Sequence, residues 1–504
     1  MTQLGGIIFN VTQNPFLSRP LGGHRIAHYL REQGWDIEVV DWANWWTLEK
    51  LQTFFKTRHT TGLKFVGFGH LFSMWTDNLE RFVYWIKLNY PEVKIISGSA
   101  VNPMFSSKVI DYYIQGFGEY AIVELLKYIV GNGKRPKFNL NVGNGQKIIS
   151  AIHAYPAFPM KSLMVKYQER DYILPDEWLA IEFARGCKFA CSFCNFPVLG
   201  VKGDYTRDSD DFIEQMKDTY DRFGVKNYIV SDETFNDRTQ KIIKFADAVN
   251  ALDFDPWFSG YIRADLLVSR KDDIEHLLRM NFLGHFYGIE SFNEKSSRSI
   301  GKGMASEKLK DGLSSIRSYF ENKGSKRFRA HIGVIAGLPY ETEKTLLDTF
   351  DWLKNNWQGH AFSIHPLLIP SNNKINQESK ISSNLAKYNY VEMTEEEQKE
   401  MSSRFPLEVK TNFGNIVNPA MRKVVTEEII WKNENMNFFD AVRIAETITK
   451  EKQNYDFRPG CHPIAYKLNS SLTVNERLNL TYDQLDNLLS FNLDSYIDKK
   501  LGKL

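Results

Sequence analysis

Cys187, Cys191 and Cys194 are three of only four cysteines in a chain of 504 residues. They fall within eight consecutive positions at the spacing Cys-x3-Cys-x2-Cys. A disulfide would use two and strand the third. Structural zinc asks for four ligands, usually from two paired knuckles, and the remaining cysteine, Cys461, lies far downstream. Three thiolates suit an iron–sulfur cube that leaves one iron open to a small-molecule ligand; zinc and coincidence are the alternatives. The run 178–184 just before them is apolar and short, as a buried strand would be. That puts the cysteines on a loop leaving a strand end.

The three cysteines, with aromatic Phe193 before the last, resemble the signature of the radical S-adenosylmethionine (radical SAM) enzymes. The resemblance implies a 4Fe-4S cluster on Cys187, Cys191 and Cys194, with S-adenosylmethionine chelated to the open iron. It also implies one-electron cleavage of the sulfonium to a 5′-deoxyadenosyl radical. Downstream, strand-like runs at 227–232, 257–263, 286–290, 329–337 and 359–365 alternate with helical segments at 209–223, 240–252, 271–280, 306–322 and 343–355. With the strand before Cys187 they make six βα units, a partial (β/α)6 TIM barrel, whose chemistry belongs at the carboxyl ends of the strands.

Several acids and glycines fall at those ends. Asp232 and Glu233 close the second strand, where the resemblance implies contact with the methionyl ammonium; an acidic helix cap is the alternative. Arg263 closes the third, to pair with a carboxylate, the ribose or a barrel acid. Glu290 and Ser291 follow Gly288 and Ile289 in a segment similar to the family's ribose-binding element. Gly337, in the run from Gly333 to Thr342, resembles the element in which backbone approaches the adenine. Glu341 and Thr342 are expected to cap the next helix. His365, ending the last strand, is a candidate for facing substrate.

Ahead of the barrel, strands are expected at 5–10, 36–41, 63–69, 93–98 and 109–115, with helices at 24–34, 78–89 and 120–130. This alternation implies an α/β fold with a doubly wound parallel sheet over residues 1–135, and ligands on such sheets bind at the strands' carboxyl edge. The segment is similar to the cobalamin-binding-type domain of one radical SAM branch. The resemblance assigns the corrin edge to Ser73, Gly98, Ser99 and Gly116. The Asp-x-His-x-x-Gly motif that gives cobalt a histidine is absent, and His24 and His70 read as loop or helix-surface residues. Ser97 and Ser99 flank Gly98 where relatives often have paired glycines, which would narrow a corrin pocket.

Residues 136–175 read as a linker, 176–372 as the barrel, and 373–504 as a mainly helical substrate cap with helices at 394–404, 437–450 and 481–500. Its aromatics Trp431, Phe438, Phe439, Tyr455, Phe457 and Tyr466 read as packing. Cys461 is expected to be inert, with a hydrogen donor or a ligand as alternatives. Lys and Arg total 63 against 61 Asp and Glu, a net charge of +2, which gives no nucleic-acid footprint. No run approaches 18 apolar residues, and no signal peptide stands at the start, so a reducing cytoplasm is expected.

The resemblance then implies an external one-electron reductant of flavodoxin or ferredoxin type and a small-molecule or peptide substrate. With cobalamin, the expected reaction is methyl transfer to an unactivated carbon. Without it, rearrangement, cyclisation or oxidation follows hydrogen abstraction. A zinc-bound, non-enzymatic scaffold is the remaining alternative.

Overall fold

A computed structural model describes residues 4–12, 19–59, 62–71, 77–99, 109–137, 147–150, 163–194, 205–323, 327–370, 379–404, 428–458, 460–461 and 493–503. The apolar runs of the first third form parallel strands β1 (Leu4–Thr12), β2 (Asp36–Val40), β3 (Phe65–Leu71), β4 (Lys94–Ser99), β5 (Tyr112–Gln115) and β6 (Ile148–Ser150). Their order is β2-β1-β3-β4-β5-β6. Helices cover both faces, so both faces are apolar. Ile7 and Phe9 enter a core with Trp46, Phe54 and Phe82, while Ile8 between them enters the opposite core with Leu30, Val39 and Leu126. Strand order reverses about β1, which opens a crevice at the carboxyl ends of β1 and β3. The stretch expected as a linker contributes β6, paired with β5.

The second sheet comprises β7 (Trp178–Ile181), β8 (Asn227–Val230), β9 (Trp257–Ile262), β10 (Phe282–Glu290), β11 (Arg329–Ala336) and β12 (Ala361–Pro366). All are parallel and follow one another in chain order. Right-handed crossovers that never reverse leave every helix on one face, the arrangement of a partial barrel. Phe258, Tyr287, Ile332 and Ile364 face that helical layer. The alternate residues Tyr261, Phe286 and His331 face inward: their rings meet at 4.9 and 4.6 Å, and His331 Nε2 lies 2.9 Å from Ser363 Oγ. The helix Ser209–Phe223 starts at Asp208, whose side chain accepts from the Asp210 amide, and stops at Gly224 with φ +69°.

Beyond β12, four α-helices are described, the short Lys380–Ser383 and the longer Glu395–Arg404, Phe438–Glu451 and Leu493–Lys500, with two short antiparallel strand pairs. Phe438–Glu451 buries Phe438, Val442, Ile444 and Ile448 in the barrel's outer core, which makes it a continuation of the helical layer. Leu493–Lys500 departs from the expected cap altogether and docks on the N-terminal sheet. Tyr496 and Ile497 join its core, the Tyr496 hydroxyl accepts from the Asp41 amide at 2.9 Å, and Lys500 Nζ donates to Val39 O at 2.7 Å. An apolar face needs a partner wherever the chain can reach one, and this face found the first sheet. Residues 481–492 and Tyr466 lie outside the described residues. No described helix is long and apolar enough to cross a membrane.

One fully buried guanidinium joins the two sheets. Arg19 pairs with Asp41 at 2.7 Å and with Glu177 at 2.6 Å, donates to the Asp171 and Tyr172 carbonyls, and stacks 4.6 Å from the Trp42 ring. His24, expected at a surface, is buried with Nε2 3.0 Å from Asp41 Oδ2. Burial opposes the Asp41 charge, but His24, Arg19 and Asn10 outweigh it and hold the carboxyl well below the usual range.

Candidate active site

After β7 the chain turns through Phe183, Ala184, Arg185 and Gly186 to Cys187. The Phe183 ring fixes the start of this turn among Phe212, Phe235, Phe245 and Phe258. Gly186, with φ +84°, takes a conformation that disfavours any other residue, and its amide donates to Glu233 Oε2 at 3.1 Å. The loop is then stitched to its neighbours: Ser192 N to Ile300 O at 3.1 Å, and Ile381 N to Ser192 O at 3.0 Å. Cys187, Cys191 and Cys194 are not in disulfides and are half-buried. Cys187 Sγ lies 3.7 Å from Thr234 Oγ1, and Cys191 Sγ accepts from Arg263 Nη1 at 3.9 Å. No three His, Cys, Asp or Glu side chains converge on a single-ion site among the described residues. An all-thiolate set beside a guanidinium, on one loop, fits a polynuclear iron–sulfur group, because cations lower the cost of the thiolate charge.

The expected ligand-binding positions divide. Glu233 faces the cysteine loop, and burial pushes its carboxyl up to about 7. Asp232 does not share that outlook. It is buried; its Oδ1 accepts from the Phe183 and Ala184 amides at 2.8 and 3.0 Å, and its Oδ2 faces Lys241 Nζ at 3.4 Å. Burial raises it to about 6. Oδ1 thus braces the start of the cysteine loop, and Oδ2 ties it to Lys241. Arg263 lies over the Phe189 ring at 3.9 Å and makes a two-point pair with Asp265, Nε–Oδ1 3.0 Å and Nη2–Oδ2 2.6 Å.

Glu290 ends β10 with φ +66°, a backbone state that glutamate enters only under constraint. Lys302 supplies the constraint, reaching the Gly288 carbonyl and Glu290 Oε1 together. Ser291 turns inward: its hydroxyl is buried and bonded to Glu341. Glu341, expected to cap, is thereby a buried partner, while Thr342 caps the helix Glu343–Asn356 as expected. Gly337 stands close to protein: with φ +95°, a Cβ there would stand 2.2 Å from Trp431 Cη2. Its carbonyl accepts from the Tyr390 hydroxyl at 2.6 Å.

On the N-terminal sheet, a Cβ added to Gly98 would meet nothing within 4 Å among the described residues. Gly116 turns after β5 with φ +90°. Ser73 lies outside the described residues, as do the side chains of Ser99 and His70. His365 is half-buried at the end of β12. Cys461 is buried; its carbonyl accepts from Ser259 Oγ at 2.6 Å, and burial pushes its thiol up to about 12, as an inert cysteine requires. The inner row of Tyr261, Phe286, His331 and Ser363 escaped the sequence reading, although strand alternation carried the signal. Tyr261 remains 49% exposed there.

Asp232 gives a sharp test. Asp232→Ala leaves two buried amides without their acceptor, while Lys241 keeps Asp237 at 2.9 Å and the Thr234 carbonyl at 3.0 Å, and is expected to destabilise by about 2–5 kcal/mol. Asp232→Asn keeps an acceptor for the amides and is expected to lose about 1–3 kcal/mol. Anaerobic urea denaturation measures both. Unchanged stability with lost S-adenosylmethionine binding would return Asp232 to the ligand shell.

Residues 181–353 match the model of the radical SAM superfamily. An anaerobic magnesium-protoporphyrin IX monomethyl ester cyclase from Synechocystis sp. is 25% identical over 226 residues, 42% of this chain and 43% of that protein. Among solved structures, the cobalamin-dependent S-adenosylmethionine radical enzyme OxsB with aqua-cobalamin and S-adenosylmethionine bound aligns at a TM-score of 0.59, with 14% identity. It covers 99% of this chain and 72% of that one. The methyltransferase TsrM from Kitasatospora setae, with tryptophan and a SAM analogue bound, aligns at 0.54 with 14% identity, covering 72% and 73%. A second OxsB structure aligns at 0.56, and there this chain spans 56% of that chain's length. At these identities the structural likeness is one of fold.

Proposed function

Residues 181–353 belong to the radical SAM superfamily, and from that premise we propose a cytoplasmic, cobalamin-dependent enzyme that transfers a methyl group to an unactivated carbon. The observation that carries the reading is the cysteine loop itself: three cysteines outside any disulfide leave the first barrel strand beside Arg263 and Glu233. The room at Gly98 among the described residues and the turn at Gly116 support cobalamin on the neighbouring sheet.

When bound, the cluster and S-adenosylmethionine supply a radical that takes a substrate hydrogen, and cobalamin supplies the methyl group. The chain's part is to hold and to shield. Cys187, Cys191 and Cys194 hold the cluster, and Arg263 offsets thiolate charge at Cys191. Glu233 receives the methionyl ammonium, the partner that a half-buried carboxylate lacks. Glu290, fixed by Lys302, faces the sugar. Gly98, Ser99, Gly116 and Ser73 line the corrin edge. Tyr261, Phe286 and His331 wall the substrate side, where exclusion of water protects a radical from quenching. An acidic one-electron carrier of flavodoxin or ferredoxin type supplies the electron.

A second reading, cobalamin-independent rearrangement, cyclisation or oxidation, draws support from His24. Its imidazole is locked on Asp41 and offers cobalt no ligand. Anaerobic reconstitution with iron, sulfide and hydroxocobalamin, followed by an absorbance spectrum and metal count, separates the readings. About four irons with a retained corrin band is the expected result. Iron without corrin moves the assignment to the second reading, and no iron sinks both.

A further inference from the structure

The cysteine loop is tied to the other sheet by a second buried guanidinium. Arg185 stands two residues before Cys187. Its Nη2 donates to Glu119 Oε1 at 2.5 Å and its Nε to Glu182 Oε1 at 2.6 Å. The Phe117 ring covers the guanidinium at 4.4 Å. Glu119 opens the helix Glu119–Ile129 of the N-terminal body, directly after the turn at Gly116, Phe117 and Gly118. A second cation, Arg25 Nε, stands 3.6 Å from the same Oε1. The side chains of Arg185 and Glu119 are 6% and 3% exposed. Arg185 therefore bridges a turn on the carboxyl edge of one sheet and the metal-ligand loop of the other.

The pair is well built for coupling. Glu182 grips the guanidinium at two points, Nε–Oε1 2.6 Å and Nη2–Oε2 3.1 Å, which fixes its plane and presents Nη2 to Glu119. Desolvated charges also make the contact costly to open. Between Gly186 and Ala190 the loop makes no strand pairing among the described residues, so side-chain ties add to the backbone bonds that hold Phe183 and Arg185 against Arg207 and Tyr205. The turn on the other side contains Gly116 at φ +90°, a conformation that disfavours any other residue.

We propose that Arg185 is a positioning residue that registers the cysteine loop against the 116–119 turn, so that occupancy of the N-terminal sheet's edge is felt at the cluster ligands. The coupling half of this proposal rests on the cobalamin reading above; the tether half does not. Coupling of this kind is reciprocal, so a loaded cluster loop also tightens the edge for its ligand.

Hydrogen exchange on the anaerobically reconstituted full chain tests both halves. Without cobalamin, Glu119→Gln is expected to speed amide exchange across 183–191 by about tenfold at wild-type iron content. The double variant Arg185→Gln with Glu119→Gln removes both charges of the tie, leaving Arg25 on the Met164 carbonyl and Glu182 partly exposed, and so covers the case in which the single variant fails to fold. It is expected to show the same acceleration rather than twice the effect in logarithmic terms. Wild-type exchange in the folded variants overturns the proposal. Adding hydroxocobalamin is expected to slow exchange at 116–119 and 183–191 together in the wild type, and at 116–119 alone in Glu119→Gln. Protection of both segments in Glu119→Gln overturns the coupling. No protection of 116–119 in the wild type sinks the cobalamin reading, and the ligand-free arm then decides the tether alone.

Discussion

Cys191→Ala, reconstituted anaerobically, is expected to hold almost no iron where the wild type holds about four atoms, and to form no detectable 5′-deoxyadenosine from S-adenosylmethionine. Two thiolates cannot retain a cube that three hold with one corner open. Cys191 is also the sulfur nearest Arg263, at 3.9 Å from Nη1, so its loss removes the ligand whose charge is best compensated. Cys461→Ala is the matched control. Its thiol is buried beside Ser259 and held protonated by burial, so iron content is expected to stay at the wild-type level. Iron retained by Cys191→Ala, or zinc found in place of iron in the wild type, would remove the basis for radical chemistry.

Arg19→Ala is expected to cost about 5 kcal/mol or more, because it leaves Asp41 and Glu177 as buried charges without their partner. That loss is comparable to the whole stability of an ordinary domain, so the variant is expected to be partly unfolded at room temperature. Arg19→Lys is expected to recover only part of it. One ammonium cannot span the two carboxylates and two carbonyls that the guanidinium reaches. Urea denaturation followed by tryptophan fluorescence is a direct readout, since Trp42 lies against the guanidinium. A midpoint shift of less than about 1 kcal/mol for Arg19→Ala, the range of a surface pair, would show that the node is not buried as described.

What could be read without coordinates was local or periodic. The cysteine spacing is a property of eight residues. Most strands and helices of both sheets announced themselves because apolar alternation and helical periodicity extend over enough positions to average out exceptions; the helix Leu48–Arg58 was not read from the sequence. The short strand Ile148–Ser150 was missed for the converse reason: three residues carry no period, and its identity as a strand comes from the edge of β5 that it pairs with.

The tertiary structure decided which side chains answer one another. Gly337 owes its identity to Trp431, and Ser291 owes its inward turn to Glu341. Arg185 meets Glu119 across 66 positions, Arg19 meets Glu177 across 158, and Tyr496 meets Asp41 across 455. Such pairings follow from strand order and from which loops share an edge. A residue's near neighbours set its dihedrals and its face, whereas its partner is set by how the sheets close. The sequence by itself thus determined the fold class and the cysteine spacing; only the packed chain determined that Asp232 braces the start of the cysteine loop, that Glu233 faces that loop, and that the last helix belongs to the first sheet.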